Sequence, residues 1–222
     1  MQLRDVLVVL DTAAKDDKIV SALLILDEMD ATGLATLREI GAAVDRFRAR
    51  GKKVVAWGSS YDQRQYYIAA HADEVYLHPL GAVNVTGFGG VQNYYKEALD
   101  KLGVSVKVIR AGTFKSFGEA YVANEPSPEA REAESALLGS LWKTYTDEIE
   151  TLRKLPPGSV MKSIDEAPAR LQAVGGDRAR LALADKAVDG LKTRDELRAL
   201  MISRGAEDAQ HKTFRQASFD EY

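Results

Sequence analysis

The sequence predicts an α/β fold in which parallel strands are covered by helices. Three observations carry that expectation. Short branched apolar runs recur at Ile19–Leu26, Lys53–Trp57 and Glu74–Leu77; stretches of helical period separate them; and glycine or proline closes the elements at Gly51 and Pro79. Strands alternating with helices argue for crossover connections, hence for a parallel sheet with helices on its faces.

The elements follow in order. Leu3, Val6, Leu7 and Leu10 stand at helical spacing and predict an opening amphipathic helix. IVSALLIL, Ile19–Leu26, is apolar on both faces, as a strand buried on both sides should be. Leu37, Ile40, Val44 and Phe47 line one face of a helix over 34–50, which Gly51 stops. KVVAW gives the second strand, QYYIAAHA a short helix, and Glu74–Leu77 the third strand. After the glycine-rich NVTGFGGV, a helix over 93–102 and a strand SVKVIR over 105–110 complete a β-α-β-α-β-α-β order. Ser127 and Pro128 have the residue types of a cap and first helical position. They open a helix reaching Lys154, roughly 40 Å long at 1.5 Å per residue. Its stripe is Ala133, Leu137, Leu141, Tyr145, Ile149 and Leu152. Shorter helices, a VDG turn at 188–190 and a strand within HKTFRQASF follow. We read 1–222 as one α/β domain, with a core over 1–125 and a helical extension over 126–222.

Composition narrows the function classes. The 222 residues are 45% hydrophobic and 28% charged, as expected of a soluble globular chain, and the net charge of −3 gives no sign of a nucleic-acid surface. The absence of cysteine removes disulfides, thiolate catalysis and cysteine metal sites. No apolar run approaches the ~20 residues of a membrane span, and charges interrupt the opening segment where a signal peptide would be apolar.

Most common sites find no support. His71, His78 and His211 lack metal-binding spacing, no G-x-S-x-G elbow occurs, and no phosphate-binding glycine motif is complete. No metal or cofactor is therefore expected. Asp16, Asp17, Asp27, Glu28 and Asp30 lie at element ends, where acids ordinarily meet water. Asn84-Val85-Thr86 fits the glycosylation pattern, a short match that arises often by chance.

Lys115 differs in setting. In RAGTFKSFGEAY it lies between Phe114 and Phe117, behind Gly112. A lysine acts as a general base only when its amine is neutral near pH 7, well below its free value of ~10.4, and apolar burial is the usual cause. The plain alternative is a lysine whose ammonium reaches out of an aromatic loop into water, and on composition alone that is the commoner case.

The segments GTFKSF, SPEAREAES and LWKTYTDEI together resemble the lysine-bearing region of the bacterial signal peptide peptidase A family, serine proteases with a Ser-Lys dyad. QYYIAAHADEVYLHPLGAVNVTGFGG, the opening LRDVLVVLDTAAKDDKI and the closing FRQASFDEY resemble further parts of its first repeat. The resemblance implies a crotonase-like (ClpP-like) spiral of repeated β-β-α and βα units, in a protein with two such repeats. It places Lys115 as the base that takes a proton from a serine hydroxyl on the second repeat. It implies apolar peptide substrates, signal peptides among them, which could pair with the bare backbone around Thr86, Gly87, Phe88 and Gly89. A homotetramer at the periplasmic side of the bacterial inner membrane, anchored by a segment outside this chain, is also implied. Two departures stand out. Gln63 occupies the serine's place ahead of Tyr66 and Tyr67, and DEMDATGL holds only Gly33 where active repeats carry a glycine pair for the oxyanion. Ser59, Ser60 and Ser116 are the remaining hydroxyls, none of them in the serine's position. Two other readings stay open: a non-catalytic assembly repeat, and an acyl-CoA enzyme of the crotonase type.

Overall fold

The computed structural model describes residues 2–222. Its first part runs α1 (Leu3–Ala13), β1 (Ser21–Ile25), α2 (Leu34–Ala49), β2 (Lys53–Gly58), β3 (Tyr61–Asp62), α3 (Gln63–Ala69), β4 (Glu74–Leu77) and β5 (Val83–Asn84). Then come α4 (Lys96–Lys101), α5 (Glu119–Val122) and the long α6 (Pro128–Leu152). The rest is α7 (Ser159–Asp165), α8 (Ala167–Ala173), α9 (Arg178–Ala184), β6 (Gly190–Leu191), α10 (Arg194–Arg204), β7 (Glu207–Asp208) and β8 (Thr213–Phe214).

The main sheet pairs β1, β2, β4 and β6 in that order, all parallel, so the α/β class and the parallel sheet agree with the sequence. The two central strands are buried at Val54, Val55, Ala56, Trp57, Val75 and Leu77, as strands covered on both faces must be. Trp57 joins Val55, Leu197 and Met201 in one apolar cluster, and its Nε1 donates to Lys192 O at 2.8 Å. One device repeats at the sheet's lower edge. Asp73 donates its N–H to Val54 O (2.9 Å) and accepts from Val54 N through Oδ2 (2.8 Å). Asp189 does the same with Val75, at 2.8 and 2.7 Å. Each aspartate thus registers the strand that follows it against its neighbour.

Contacts divide the chain into two compact units. One comprises residues up to Thr86 together with Tyr145–Tyr222; the other is Gly87–Thr144. The first holds the sheet and every strand.

Three local expectations need correction. Residues 105–110 form no strand: the segment is exposed and has no ladder partner, and the sheet's fourth place goes to Gly190–Leu191. Branched residues supply strand propensity, but a strand exists only through pairing. β1 is an edge strand, half-buried along Ser21–Leu24, rather than covered on both sides. The apolar stripe of α6 is buried at Tyr145 and Ile149, while Leu137 lies exposed.

Candidate functional site

The Lys115 loop belongs to the Gly87–Thr144 unit and is built from turns. Lys115 N donates to Gly112 O (3.3 Å) and Glu119 N to Ser116 O (2.9 Å). Gly112 has φ +103°, a backbone state that a side chain would strain, and the position its Cβ would take lies 3.5 Å from Lys115 Cγ. Lys115 is exposed. Phe114 and Phe117 are exposed as well, so the apolar neighbours that would favour a neutral amine do not close over it within this chain. Among the described residues no carboxylate pairs with its ammonium.

Both ends of the loop meet at one buried carboxylate. Glu119, 8% exposed, accepts from Arg110 NH1 at 2.7 Å and from Ser127 Oγ at 2.8 Å through Oε1, and from Ser127 N at 3.0 Å through Oε2. The Ser127 backbone N–H, its hydroxyl and the Arg110 guanidinium hold this carboxyl below the usual carboxylate range. Ser127 Oγ also accepts from Ala130 N at 3.2 Å, which makes it the N-cap of α6 that the sequence predicts. Nothing in the local sequence pattern marked Glu119; its importance comes from three donors brought together by the fold.

The other unit contains Gln63, which the family resemblance sets at the serine's position. Gln63 opens α3, and its Oε1 accepts from Thr86 N at 3.1 Å. Asp62 caps the same helix: its Oδ1 accepts from Arg64 N and Gln65 N, both at 2.8 Å, and Gln65 Oε1 accepts from Asp62 N in return. Gln65 Nε2 also donates to Leu26 O at 2.8 Å, tying the loop after β1 to this helix. An oxyanion hole needs N–H groups aimed at open space, and here those of Arg64 and Gln65 already serve a carboxylate. Asp27, which the sequence left as an ordinary acid, accepts from both Ser59 N and Ser59 Oγ at 2.9 Å, so the Ser59 hydroxyl is committed to a turn. Ser60 Oγ accepts from Ala82 N at 3.1 Å.

Of the residues expected to meet a peptide, Thr86 lines an open cavity of about 830 Å³ in the first unit, walled by Val83, Ile149, Ile164, Leu171 and Leu181. Within it Asp185 accepts from the Ser163 hydroxyl and the Arg170 guanidinium. Gly87, Phe88 and Gly89 fall in the second unit, where the Phe88 ring meets Trp142 edge-on at 6.3 Å. His71 is committed to structure: Nδ1 lies 3.0 Å from Asp45 Oδ2. Its ring also abuts Gly41, where an added Cβ would come within 2.3 Å of Nε2. Among the described residues no helix is long and apolar enough to cross a membrane, and no group of acids and histidines has the make-up of a metal site.

Comparison with known proteins gives these residues a family. Over 94% of its length the chain is 36% identical to Protease 4 of Salmonella typhi, covering 34% of that protein. It is 33% identical to Protease 4 of Haemophilus influenzae over 87% of its length, covering 31% of that relative. The chain thus spans about a third of the length of these relatives. A solved enoyl-CoA hydratase/isomerase family protein from Silicibacter pomeroyi matches 69% of this chain and 80% of its own, at 16% identity and a TM-score of 0.28, an overlap too slight to argue from. The model of peptidase family S49 matches residues 46–203, well over half of the sequence, and with the two Protease 4 relatives it shows that the chain belongs to that family.

Proposed function

We propose that this chain is the lysine-donating half of a Ser-Lys serine peptidase that cuts apolar peptides, signal peptides among them. The observation that carries the reading is the contrast between Lys115 and Gln63. Lys115 sits on a shaped, exposed loop whose flanking aromatics are uncovered, ready to be enclosed by another surface. The serine's place holds Gln63, and the adjacent helix donors are closed by Asp62. Base without nucleophile is what a split dyad requires of one repeat.

In this reading a second repeat covers Phe114 and Phe117, removes water from around the Lys115 amine and so favours its neutral form. The Nζ lone pair takes the proton from the serine Oγ as that oxygen bonds to the scissile carbonyl carbon. The ammonium formed then gives its proton to the leaving amine as the C–N bond breaks. Water repeats the sequence on the acyl-serine, with Nζ again taking the proton, and releases the acid. The serine and its oxyanion donors belong to the second repeat. The membrane setting and the homotetramer are parts of the same proposal.

The test is hydrolysis of an apolar peptide ester by the full-length protein, by its Lys115→Ala variant and by this chain alone. Loss of activity in the variant at unchanged assembly, together with an inert isolated chain, supports the split dyad. A fully active variant removes Lys115 from the chemistry and turns the reading to a non-catalytic assembly repeat, which Gln63 and the Asp62 cap would equally suit.

A further inference from the structure

We propose that Glu119 is the positioning residue of the Lys115 loop. Its carboxylate joins the loop's start, at Arg110, to the cap of α6, at Ser127, and thereby sets where the Lys115 amine is presented. The inference rests on the reading of Lys115 as a general base.

The loop has little else to hold it. Within residues 111–118 the fixing contacts are backbone turns, and the large side chains point to solvent: Phe117 is 91% exposed. Position must therefore come from the loop's ends. Arg110 and Glu119 are those ends, 2.7 Å apart at their charged atoms. Arg110 NH1 also reaches the Lys115 carbonyl at 3.4 Å, a long contact that links the guanidinium directly to the residue it frames.

An exposed arginine–carboxylate pair by itself would hold little, because water screens it and long side chains lose freedom in forming it. Two features separate this pair from that case. The carboxylate is buried, and it also accepts from a backbone N–H and a hydroxyl, both of Ser127. Taking one partner from a buried carboxylate leaves it under-satisfied at a cost in desolvation, so each of the three bonds helps to fix the loop's ends. The same Ser127 caps α6, so the loop is referred to a helix of 25 residues rather than to a mobile turn.

The test uses the full-length protein with Glu119→Gln, which keeps the shape and an acceptor for Ser127 while dropping the charge Arg110 needs. The expected result is a fall in kcat of about 10- to 100-fold with KM within about twofold of wild type, since misplacing a catalytic group by an ångström costs on that order. Hydrogen exchange should quicken at amides 111–118 and stay unchanged through the β2 and β4 strands. Arg110→Gln combined with Glu119→Gln should be no worse than Glu119→Gln alone, because both remove one tie. A Glu119→Gln enzyme with wild-type kcat, in a background where Lys115→Ala is dead, overturns the proposal while leaving the base reading intact. Exchange that rises equally across the sheet also overturns it, by making Glu119 a residue of general stability. A fully active Lys115→Ala enzyme sinks the base reading itself and the proposal with it.

Discussion

Each of the two units of this chain keeps its own shape by different means. Around the sheet, Trp57, Tyr61, Tyr67, Tyr145, Phe47 and Leu77 are all but inaccessible, and the strands are registered by paired aspartates. In Gly87–Thr144 the residues buried are Glu119 and Ala120, while Val91, Ile109 and Phe117 are each more than 90% exposed. The first unit is stabilised by apolar burial, which is roughly proportional to the area removed from water. The second keeps its shape through turns, a cap and a carboxylate with three donors. The difference teaches that the catalytic candidate lies where the chain is least self-sufficient, as functional loops often do.

Truncating the first unit's core should break it outright. Trp57→Ala removes a 1%-exposed indole and its bond to Lys192 O, and is expected to cost about 3–5 kcal/mol in denaturant unfolding. A loss under about 1 kcal/mol would mean that the Val55–Leu197–Met201 cluster is not the main support. Glycine-to-alanine changes sharpen the contrast. Inside an exposed helix such a change ordinarily stabilises by roughly 0.5–1 kcal/mol. At Gly41 the new methyl would meet the buried His71 ring at 2.3 Å, and overpacking of this kind costs about 1–3 kcal/mol, so the clash wins and Gly41→Ala should lower Tm. At Gly118 the methyl would meet both methyls of Val108, Cγ1 at 2.6 Å and Cγ2 at 2.9 Å, but Val108 is 38% exposed in a segment without ladder partners, which can shift to make room. Gly118→Ala should fall within about 0.5 kcal/mol of wild type.

The same contrast governs what the sequence could reveal. Glu74–Leu77 was legible to the residue, because its strand-forming residues and Pro79 after it act locally. Gly51 closes α2 with φ +81°, as its position announced. Ser127 capping α6 was equally plain. The fourth strand was not: Gly190–Leu191 has no strand propensity, and it pairs because Asp189 ties the chain to Val75. SVKVIR was misread for the converse reason, having the propensity without the partner. At the site, composition gave Lys115 little distinction, and family resemblance singled it out. Glu119 and the Asp27–Ser59 pair could not be seen, since each depends on segments that only the folded backbone brings together.

Acid should probe the first unit next. Burial of Asp73 alone would raise its carboxyl, but the Val54 N–H and the Arg48 and Lys53 side chains outweigh it and hold the group below its ordinary value of 3.8. A carboxyl depressed in the folded state contributes stability above its unfolded value and loses that contribution as pH falls through the folded one. Unfolding free energy should therefore decline below about pH 4, and Asp73→Asn should be less stable at neutrality with a flatter acid limb. Parallel acid limbs in the two proteins would assign the decline to other carboxyls.

The smallest expected effect tests the second unit. Phe117 has no core to lose, so Phe117→Ser should shift the unfolding free energy of this chain by less than about 0.5 kcal/mol, although it deletes an entire aromatic ring. The equivalent deletion at Phe47, 1% exposed in the first unit, should cost several times as much, about 3–5 kcal/mol for Phe47→Ala. The ring's absence should be felt instead in the full-length protein, where the split-dyad reading has Phe117 covered by the second repeat. There Phe117→Ser is expected to lower peptidase activity without lowering Tm of this chain. A marked fall in the chain's own Tm would mean that Gly87–Thr144 carries packing of its own, and the division of labour between the two units would fail.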